Sequence, residues 1–338
     1  MSRLLEVNNL KTSFYTHLGE VQAVRGVSFN MEKGDILGIV GESGSGKSVT
    51  ALSIMKLIDH PGRIKEGEIL FEGENLVNRS EKQMSEMRGW EISMIFQDPM
   101  TSLNPVYSIK NQMVEVIRRH NKVSKKEALS RAIEMLSLVG IPEPQKRINS
   151  FPHEFSGGMR QRVMIATALS CSPKLLIADE PTTALDVTIQ AQILDLMKKL
   201  SKEIDTSIIL ITHDLGVIAE ICTNMVVMYG GKIMEKGTTE QIFHLPSHPY
   251  TIGLLQSVPR MDEQSKDRLV PIPGSPPDLL SPPKGCPFST RCPHAMQICL
   301  EEAAPNFKVS DDHISSCWLL DDEAPTVAGY KKGCEIVG

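Results

Sequence analysis

The sequence predicts an α/β core followed by a loop-rich C-terminal extension. Up to about residue 245, short apolar segments alternate with helical patterns and glycine-containing turns, which is typical of α/β proteins. Beyond that point prolines become so frequent that regular helices and central strands are disfavoured. A length of 338 residues is also typical of a chain with two domains, or with one large domain and an extension. We therefore expect one domain at 1–245 and an extension at 246–338.

Composition excludes several classes of protein. Hydrophobic residues make up 41% and charged residues 23%, which argues against wholesale disorder. The net charge of -5 disfavours a dedicated nucleic-acid-binding protein. No apolar run approaches the roughly 20 residues that span a bilayer, and Met1–Val7 lacks the apolar region of a signal peptide. We expect a cytoplasmic chain that binds no nucleic acid.

The elements of the core follow from local patterns. A short apolar run at 35–40 ends at glycine and predicts a buried strand, and 47–58 then reads as a helix. Residues 108–139 mix apolar and charged positions at helical spacing, which indicates a helical insertion of about 98–156 between two halves of the core. Further buried strands are predicted at 174–178, 207–212 and 225–228.

A phosphate-binding loop follows the first of these strands. Residues 41–48 read GESGSGKS and match the pattern G-x-x-x-x-G-K-[ST] between a strand and a helix. Glycines let backbone N–H groups approach phosphate oxygens, the lysine reaches the β- and γ-phosphates, and the hydroxyl of Ser48 can bind Mg²⁺. The predicted phosphate ligands are Gly41, Ser43, Gly44, Ser45, Gly46, Lys47 and Ser48.

Acidic and imidazole side chains follow two other predicted strands. Asp179 and Glu180 end the strand at 174–178, where Asp179 can bind Mg²⁺ and Glu180 can polarise an attacking water. His213 directly follows the strand at 207–212. Ligands bind at the carboxyl ends of strands in open α/β sheets, so these residues are catalytic candidates.

Several further motifs resemble those of ABC transporter ATPases. Residues 155–162 read FSGGMRQR and are similar to the family's L-S-G-G-Q signature, with Phe and Met at the outer positions. Gln97 resembles the glutamine of the Q-loop, residues 184–186 (ALD) resemble the D-loop, and His213 resembles the switch histidine. These motifs stand in the family's order and cover about residues 1–240.

The resemblance implies a RecA-like P-loop NTPase core with an antiparallel β subdomain and a helical insertion. It implies that two ATPs are sandwiched between two subunits, with the signature of one chain facing the γ-phosphate held by the other. Gln97 would then bind Mg²⁺, His213 would contact the γ-phosphate and Glu180 would orient the water. The signature ligands are Ser156, Gly157 and Gly158, and the adenine-stacking aromatic is Phe14, with Tyr15 as the alternative.

The extension narrows the resemblance to the ATPase subunits of dipeptide and oligopeptide importers, and within these to the D-type subunit. Residues 248–259 (HPYTIGLLQSVP) and 285–288 (GCPF) are similar to the C-terminal region of that group. The resemblance implies a second ATPase subunit, as heterodimer or homodimer, two membrane permease subunits, an indirect link to a solute-binding protein, and a place on the cytoplasmic face of the membrane. The same role in an importer of nickel or another small solute is the alternative. A soluble ABC ATPase of DNA repair or translation fits less well, because the chain has one cassette and no basic excess.

Five of the seven cysteines lie in the extension, and Cys334 fits no ligand pattern, which leaves four candidates. Their spacing is C-x5-C-x6-C-x17-C, whereas zinc sites usually contain a short C-x2-4-C pair. The family resemblance implies a [4Fe–4S] cluster, with zinc and unrelated thiols as the alternatives. The expected ligands are Cys286, Cys292, Cys299 and Cys317.

Overall fold

The computed structural model describes residues 3–97, 102–182, 186–257 and 271–337. The chain divides into two compact units. The first comprises 32–36 and 78–211, and the second comprises 3–31, 37–77 and 212–337. The predicted boundary at 245/246 is a different division, and it stays a prediction.

The second unit contains an antiparallel sheet near the N-terminus. Its strands are β1 (Arg3–Thr16), β2 (Gly19–Glu32), β4 (Gly62–Phe71) and β5 (Glu74–Asn75), in the order β2-β1-β4-β5. Alternate residues of β1, such as Leu5 and Val7, are buried, which is the pattern of a strand with one face on a core. This sheet confirms the antiparallel β subdomain.

A second sheet of this unit carries the phosphate-binding loop and continues into the extension. Strand β3 (Ile36–Val40) is buried throughout and runs parallel to β9 (Asn224–Tyr229). A tight turn at Gly230 and Gly231 leads from β9 into the antiparallel β10 (Lys232–Thr238). Beyond β10 the order is β12 (His313–Ser315), β11 (Asn306–Ser310) and β13 (Glu335–Val337). The extension therefore contributes strands as well as loops.

Within the described residues, the second unit also contains five short α-helices. Helix α1 (Lys47–Ile54) follows β3 and is shorter than the predicted 47–58. The others are α8 (Leu215–Ile221), α9 (Thr239–His244), α10 (Pro249–Gln256) and α11 (Gln297–Glu301). In α10, the first helix of the extension, His248 is the N-cap and Pro249 occupies the first turn, a position that suits proline.

The described part of the first unit contains three parallel strands, β6 (Ile92–Ile95), β7 (Leu175–Asp179) and β8 (Ser207–Thr212). The last residue of β8 falls in the second unit. Strands β7 and β8 are buried along their whole length, as expected for parallel strands covered on both faces.

The helices of the first unit include those of the predicted insertion. In the described residues these helices are α2 (Glu81–Met87), α3 (Ile109–His120), α4 (Lys125–Leu138), α5 (Pro144–Arg147), α6 (Gly157–Leu169) and α7 (Val187–Glu203). The helical block at 108–139 is two helices, α3 and α4, and the hydroxyls of Ser108 and Ser124 cap their N-termini. Within the described ranges, no helix combines the length and the apolar character needed to cross a membrane.

Candidate nucleotide-binding site

The loop at 41–48 is tightly packed at two of its glycines. A Cβ atom on Gly41 would lie 2.1 Å from the carbonyl oxygen of Met228, and one on Gly46 would lie 2.5 Å from that of Ala23. Gly46 also has a φ of 99°, which L side chains rarely adopt. The backbone thus follows a path that only glycine permits, which fits a loop that wraps a phosphate group.

Lys47 lies over its own loop. Its side chain is buried, and the Nζ atom donates hydrogen bonds to the carbonyl oxygens of Gly41 (2.7 Å) and Glu42 (3.0 Å). Ser43 and Gly44 are exposed at the tip of the loop, while Ser45 is buried and Ser48 is half-buried at the start of α1. The arrangement is a concave, N–H-rich loop with a cation beside it, and these features suit polyphosphate.

The first unit brings Gln97 and Glu180 together. Asp179 is the last residue of β7 and is buried. Glu180 follows with a φ of 47°, and its N–H donates to the carbonyl oxygen of Ile211 at 2.9 Å. This turn points the Glu180 carboxylate at Gln97, whose Nε2 donates to Oε2 at 3.0 Å. A carboxylate and an amide on adjacent strand ends can act jointly on a water molecule or a cation.

The signature turn is an exposed helix N-terminus. Ser156 is the N-cap of α6, and its hydroxyl accepts a hydrogen bond from the N–H of Met159 at 3.3 Å. Gly157 and Gly158 form the first turn, and a Cβ on Gly157 would meet no atom within 4 Å. Uncapped N–H groups and the helix dipole make such an N-terminus attractive to anions.

Gln161 lies in the signature motif at 155–162, and the sequence predicted no role for it. It lies one turn into α6, is 2% exposed, and its Nε2 donates to the carbonyl oxygen of Pro181, next to Glu180. A buried amide thus joins the signature helix to the turn that carries the candidate catalytic carboxylate. Its polar side chain on the buried face of a helix was the available signal.

The remaining predicted residues are less constrained. His213 is exposed directly after β8, where Asp214 caps α8 by accepting from the N–H groups of Gly216 and Val217. Of the D-loop, Asp186 is the N-cap of α7, while 184–185 lie outside the described residues, as do 98–99 after Gln97.

The two candidate adenine-stacking aromatics lie side by side near the end of β1, and both are half-buried. The guanidinium of Arg63 lies 4.2 Å from the ring centroid of Tyr15. The ring of Phe14 packs close to Gly62, where a Cβ would lie 2.6 Å from the Phe14 ring. One face of Tyr15 is therefore occupied by Arg63, which favours Phe14, and the assignment stays a prediction.

Two residues outside the loop, Arg291 and Tyr250, contact Glu42, and the sequence did not predict either contact. The carboxylate of Glu42 forms an ion pair with Arg291 of the extension (2.6 Å), and its N–H donates to the hydroxyl of Tyr250 (2.9 Å). Glu42 and Arg291 are 249 positions apart in the sequence, so no local pattern indicates their contact. The one available signal was the presence of a basic residue, Arg291, in the proline-rich extension.

The prediction of an iron–sulfur cluster is wrong, and so is the zinc alternative. Cys286, Cys292, Cys299 and Cys317 line one small apolar cavity, yet no group of three or more His, Cys, Asp or Glu side chains in the described ranges could hold a metal ion. Burial raises the pKa of Cys286 to about 11 and raises those of Cys292 and Cys317. The thiols of Cys286, Cys292 and Cys317 are thus protonated at neutral pH. The spacing of the cysteines does not encode the geometry that metal ligands need.

Comparison with known proteins identifies the family. Residues 24–183 match the ABC transporter family model, and residues 234–299 match the model of the oligopeptide/dipeptide transporter C-terminal region. The chain is 61% identical to the oligopeptide transport ATP-binding protein OppD of Bacillus subtilis over 97% of its own length and 92% of that protein. It is 55% identical to the dipeptide transport ATP-binding protein DppD of the same organism, over 96% and 97% of the two chains.

A solved structure agrees with this relationship. The dimeric ATP-binding cassette MJ0796, bound to ADP and Pi after hydrolysis, matches 70% of this chain and 99% of its own, with a TM-score of 0.63 and 26% identity. This likeness confirms the P-loop NTPase fold. Together with the motifs above, it shows that the chain is an ABC ATPase and belongs to the ATP-binding subunits of oligopeptide and dipeptide ABC transporters.

Proposed function

We propose that this chain couples ATP hydrolysis to the import of dipeptides or oligopeptides through membrane permease subunits. The observation that carries the choice of solute is the extension, because residues 234–299 match the region that characterises oligopeptide and dipeptide transporters. The names of the relatives, which include both oligopeptide and dipeptide transport proteins, support the same class of solute. The functional domains of the proposal are 1–245 for ATP and 246–338 for the extension.

In the proposed site, the loop at 41–48 binds the phosphates of ATP and Phe14 stacks on adenine. Lys47 supports this role, since its Nζ lies against the loop carbonyls and can transfer to phosphate oxygens. Ser48, Gln97 and Asp179 would hold Mg²⁺, and a hydroxyl, an amide oxygen and a carboxylate are a suitable donor set for that ion. Bound Mg²⁺ neutralises charge that develops on the phosphates.

Glu180 and His213 perform the hydrolytic work in this proposal. Glu180 accepts a proton from, or orients, the attacking water, and Gln97 holds its carboxylate in place through the 3.0 Å hydrogen bond. His213 contacts the γ-phosphate from the end of β8. Phosphoryl transfer depends mostly on positioning and electrostatics, so small displacements of these side chains should reduce turnover strongly.

A second ATPase subunit completes each site. The signature turn at 156–158 is exposed and thus available to a γ-phosphate held by another chain. The dimeric cassette of known structure supports this arrangement. The proposed complex contains a related ATPase as partner, with a homodimer as the alternative, two permease subunits, and a solute-binding protein that this chain does not touch. It places the chain on the cytoplasmic face of the membrane.

Glu180→Gln in the reconstituted transporter tests the catalytic assignment. We expect ATP hydrolysis and peptide uptake to fall at least about 100-fold while ATP binding is retained, because the amide cannot accept the proton. Glu134→Gln removes an exposed carboxylate of α4 and is the matched control. Unchanged turnover would remove Glu180 from the mechanism.

The solute is tested by comparing uptake of labelled di- and pentapeptides with uptake of Ni²⁺ by the reconstituted transporter. Uptake of Ni²⁺ alone would overturn the peptide assignment.

A further inference from the structure

Arg291 makes an unusually complete set of contacts for a residue in a proline-rich loop. Its side chain is only 5% exposed, and Nη1 and Nη2 form a forked pair with the two carboxylate oxygens of Glu42. The remaining donors bind neutral oxygen atoms. The acceptors and distances are Glu42 Oε2 (2.6 Å), Glu42 Oε1 (3.1 Å), Tyr229 Oη (2.9 Å), Pro273 O (2.7 Å) and Ile272 O (3.0 Å). All five guanidinium N–H groups are thus used.

Glu42 is fixed in turn at three points. Its carboxylate binds Arg291, its N–H donates to Tyr250 Oη at 2.9 Å, and its carbonyl oxygen accepts from Lys47 Nζ at 3.0 Å. Glu42 is the second residue of the phosphate-binding loop, so the first two contacts tie the entry of that loop to the extension. The carbonyl oxygen of Glu42 also accepts from the N–H of Ser45, at 3.2 Å.

Aromatic packing holds this assembly rigid. Tyr229, Tyr250 and Phe288 are all buried, with ring centroids between 4.6 and 5.3 Å apart. The Arg291 guanidinium lies 5.6 Å from the ring centroid of Tyr229 and 5.9 Å from that of Phe288, in reach of cation–π attraction. We call these four residues together with Glu42 the Arg291 cluster.

The turn beneath the loop is also covered by the extension. A Cβ on Gly41 would strike the carbonyl oxygen of Met228, and one on Gly230 would lie 2.8 Å from Pro287. The loop therefore rests on the β9–β10 turn, and the extension rests on the other side of that turn. Movement of the extension cannot leave the loop unaffected.

We propose that Arg291 is a positioning residue that holds the phosphate-binding loop in its nucleotide-binding conformation before ATP arrives. It acts through Glu42 and the extension's aromatic residues, without touching the nucleotide. If the loop adopts the binding conformation in only a fraction of the molecules, the apparent affinity for ATP falls in proportion to that fraction. This gives the C-terminal extension a role in ATP binding, and it rests on the proposed role of 41–48 as the phosphate-binding loop.

Two substitutions break the ion pair from opposite sides. Arg291→Gln removes the fork, and Glu42→Gln removes the charge while keeping one acceptor. We expect the ATP dissociation constant of the full chain, measured by calorimetry, to rise about 10-fold for Arg291→Gln and several-fold for Glu42→Gln. In the transporter, KM for ATP should rise by similar factors with kcat within about twofold. Arg291→Lys should recover part of the affinity, because lysine keeps the charge but lacks the fork.

The double variant separates coupling from two independent defects. If Arg291 acts through Glu42, the double substitution should bind ATP no more weakly than Arg291→Gln alone. Lys308→Gln is the control, since it breaks an exposed ion pair of the extension with Asp311 and should leave ATP affinity unchanged. Melting temperatures of all variants show whether each is folded.

Unchanged ATP affinity in a folded Arg291→Gln and in Glu42→Gln would overturn the proposal. If Arg291→Gln does not fold, Glu42→Gln decides alone, since its side chain is 26% exposed and tolerates an amide. Lys47→Ala tests whether the loop at 41–48 binds phosphate at all, independently of the role of Arg291. Normal ATP binding by Lys47→Ala would reject the loop as the phosphate site, whereas lost binding there with normal Arg291 variants would reject only the role of Arg291.

Discussion

The two proposed anion-binding helix starts, at 41–48 and 156–158, differ in how they are supported. The loop before α1 is largely buried, with Lys47 folded over it and the Arg291 cluster beside it. Ser156 and Gly157 before α6 are exposed, and among the described residues the Ser156 hydroxyl is bonded to the first turn of its own helix. Both follow the same principle of glycine-rich backbone at a helix N-terminus.

This difference indicates that 41–48 acts as a binding site within one chain, whereas 156–158 acts as a surface for contact with a second chain. The first loop by itself offers a phosphate group backbone N–H groups and the ammonium group of Lys47. A phosphate group at the second turn meets an open surface, so one chain alone offers it few ligands and a second chain must bring the rest. The comparison therefore predicts that damage to the first site appears in ATP binding, whereas damage to the second appears in the assembled enzyme.

The largest effect should come from Gly46→Ala. The new methyl group would lie 2.5 Å from the carbonyl oxygen of Ala23 at a φ of 99°, so the loop must move. We expect ATP affinity of the isolated chain to fall more than about 100-fold, measured by calorimetry. Gly73→Ala is a control with a similar φ of 84° and no atom within 4 Å. Equal affinity losses in both variants would mean that backbone strain, and not the loop, is responsible.

Acid should weaken the region around α10 next. His248 is fully buried, which lowers its pKa to about 3, whereas an unfolded histidine has a pKa of ~6.5. Between these values the unfolded state binds the extra proton, so stability falls as pH falls from about 6.5 toward 3. The cost should reach about 3 kcal/mol between pH 7 and pH 4.

His248→Asn isolates this effect. The Nδ1 atom of His248 caps α10 by accepting from the N–H of Tyr250 at 3.0 Å, and asparagine can also serve as an N-cap but does not titrate. Urea unfolding at several pH values should give a smaller loss of stability for the variant. Equal pH dependence in both proteins would assign the acid sensitivity to other groups. Because Tyr250 also contacts Glu42, ATP affinity should decline together with stability in the wild type.

Gly157→Asp tests the exposed turn. A Cβ at this position would meet no atom of the described residues within 4 Å, so we expect folding and ATP binding by the isolated chain to be unchanged. A carboxylate at this helix start should repel a γ-phosphate and lower hydrolysis by the assembled dimer about 100-fold. Gly157→Asn, of nearly equal size without the charge, should retain more activity. A large loss of ATP binding in the isolated Gly157→Asp chain would contradict the comparison.

Local patterns predicted the elements of the core better than they predicted the pairing of distant residues. The helix that begins at Lys47 and the strand that ends at Asp179 each depend on a few consecutive residues, and the sequence indicated both. The roles assigned to the residues at these ends stay predictions. The pairing of β10 with β12 joins residues about 80 positions apart, as in Glu235 and Ser315, and the proline-rich composition concealed it. The break between α3 and α4 was missed because 121–124 is short and polar.

The extension shows a second limit of sequence reasoning. The expected iron–sulfur cluster is wrong, because no group of side chains in the described residues could hold a metal ion, although the four cysteines line one cavity. Coordination depends on angles and on ionisation, which the spacing of cysteines does not encode. The contact between Arg291 and Glu42 depends on tertiary folding alone. A residue such as Arg291, which acts through another residue, leaves a weaker sequence signal than a residue that binds a ligand. Several side-chain types could support Glu42, so no motif marks the position.

The smallest effect should come from Ser156→Ala, which removes the cap of α6 without touching the buried loop. The hydroxyl accepts one hydrogen bond, from the N–H of Met159, so stability should fall by about 1 kcal/mol in urea unfolding. ATP affinity of the isolated chain should stay within twofold of the wild type. Ser156→Asp is the informative partner, because aspartate restores the cap yet places a charge where the other chain's phosphate is expected. We expect it to recover stability and lose hydrolysis, and recovery of both would show that this turn caps a helix and does not meet phosphate.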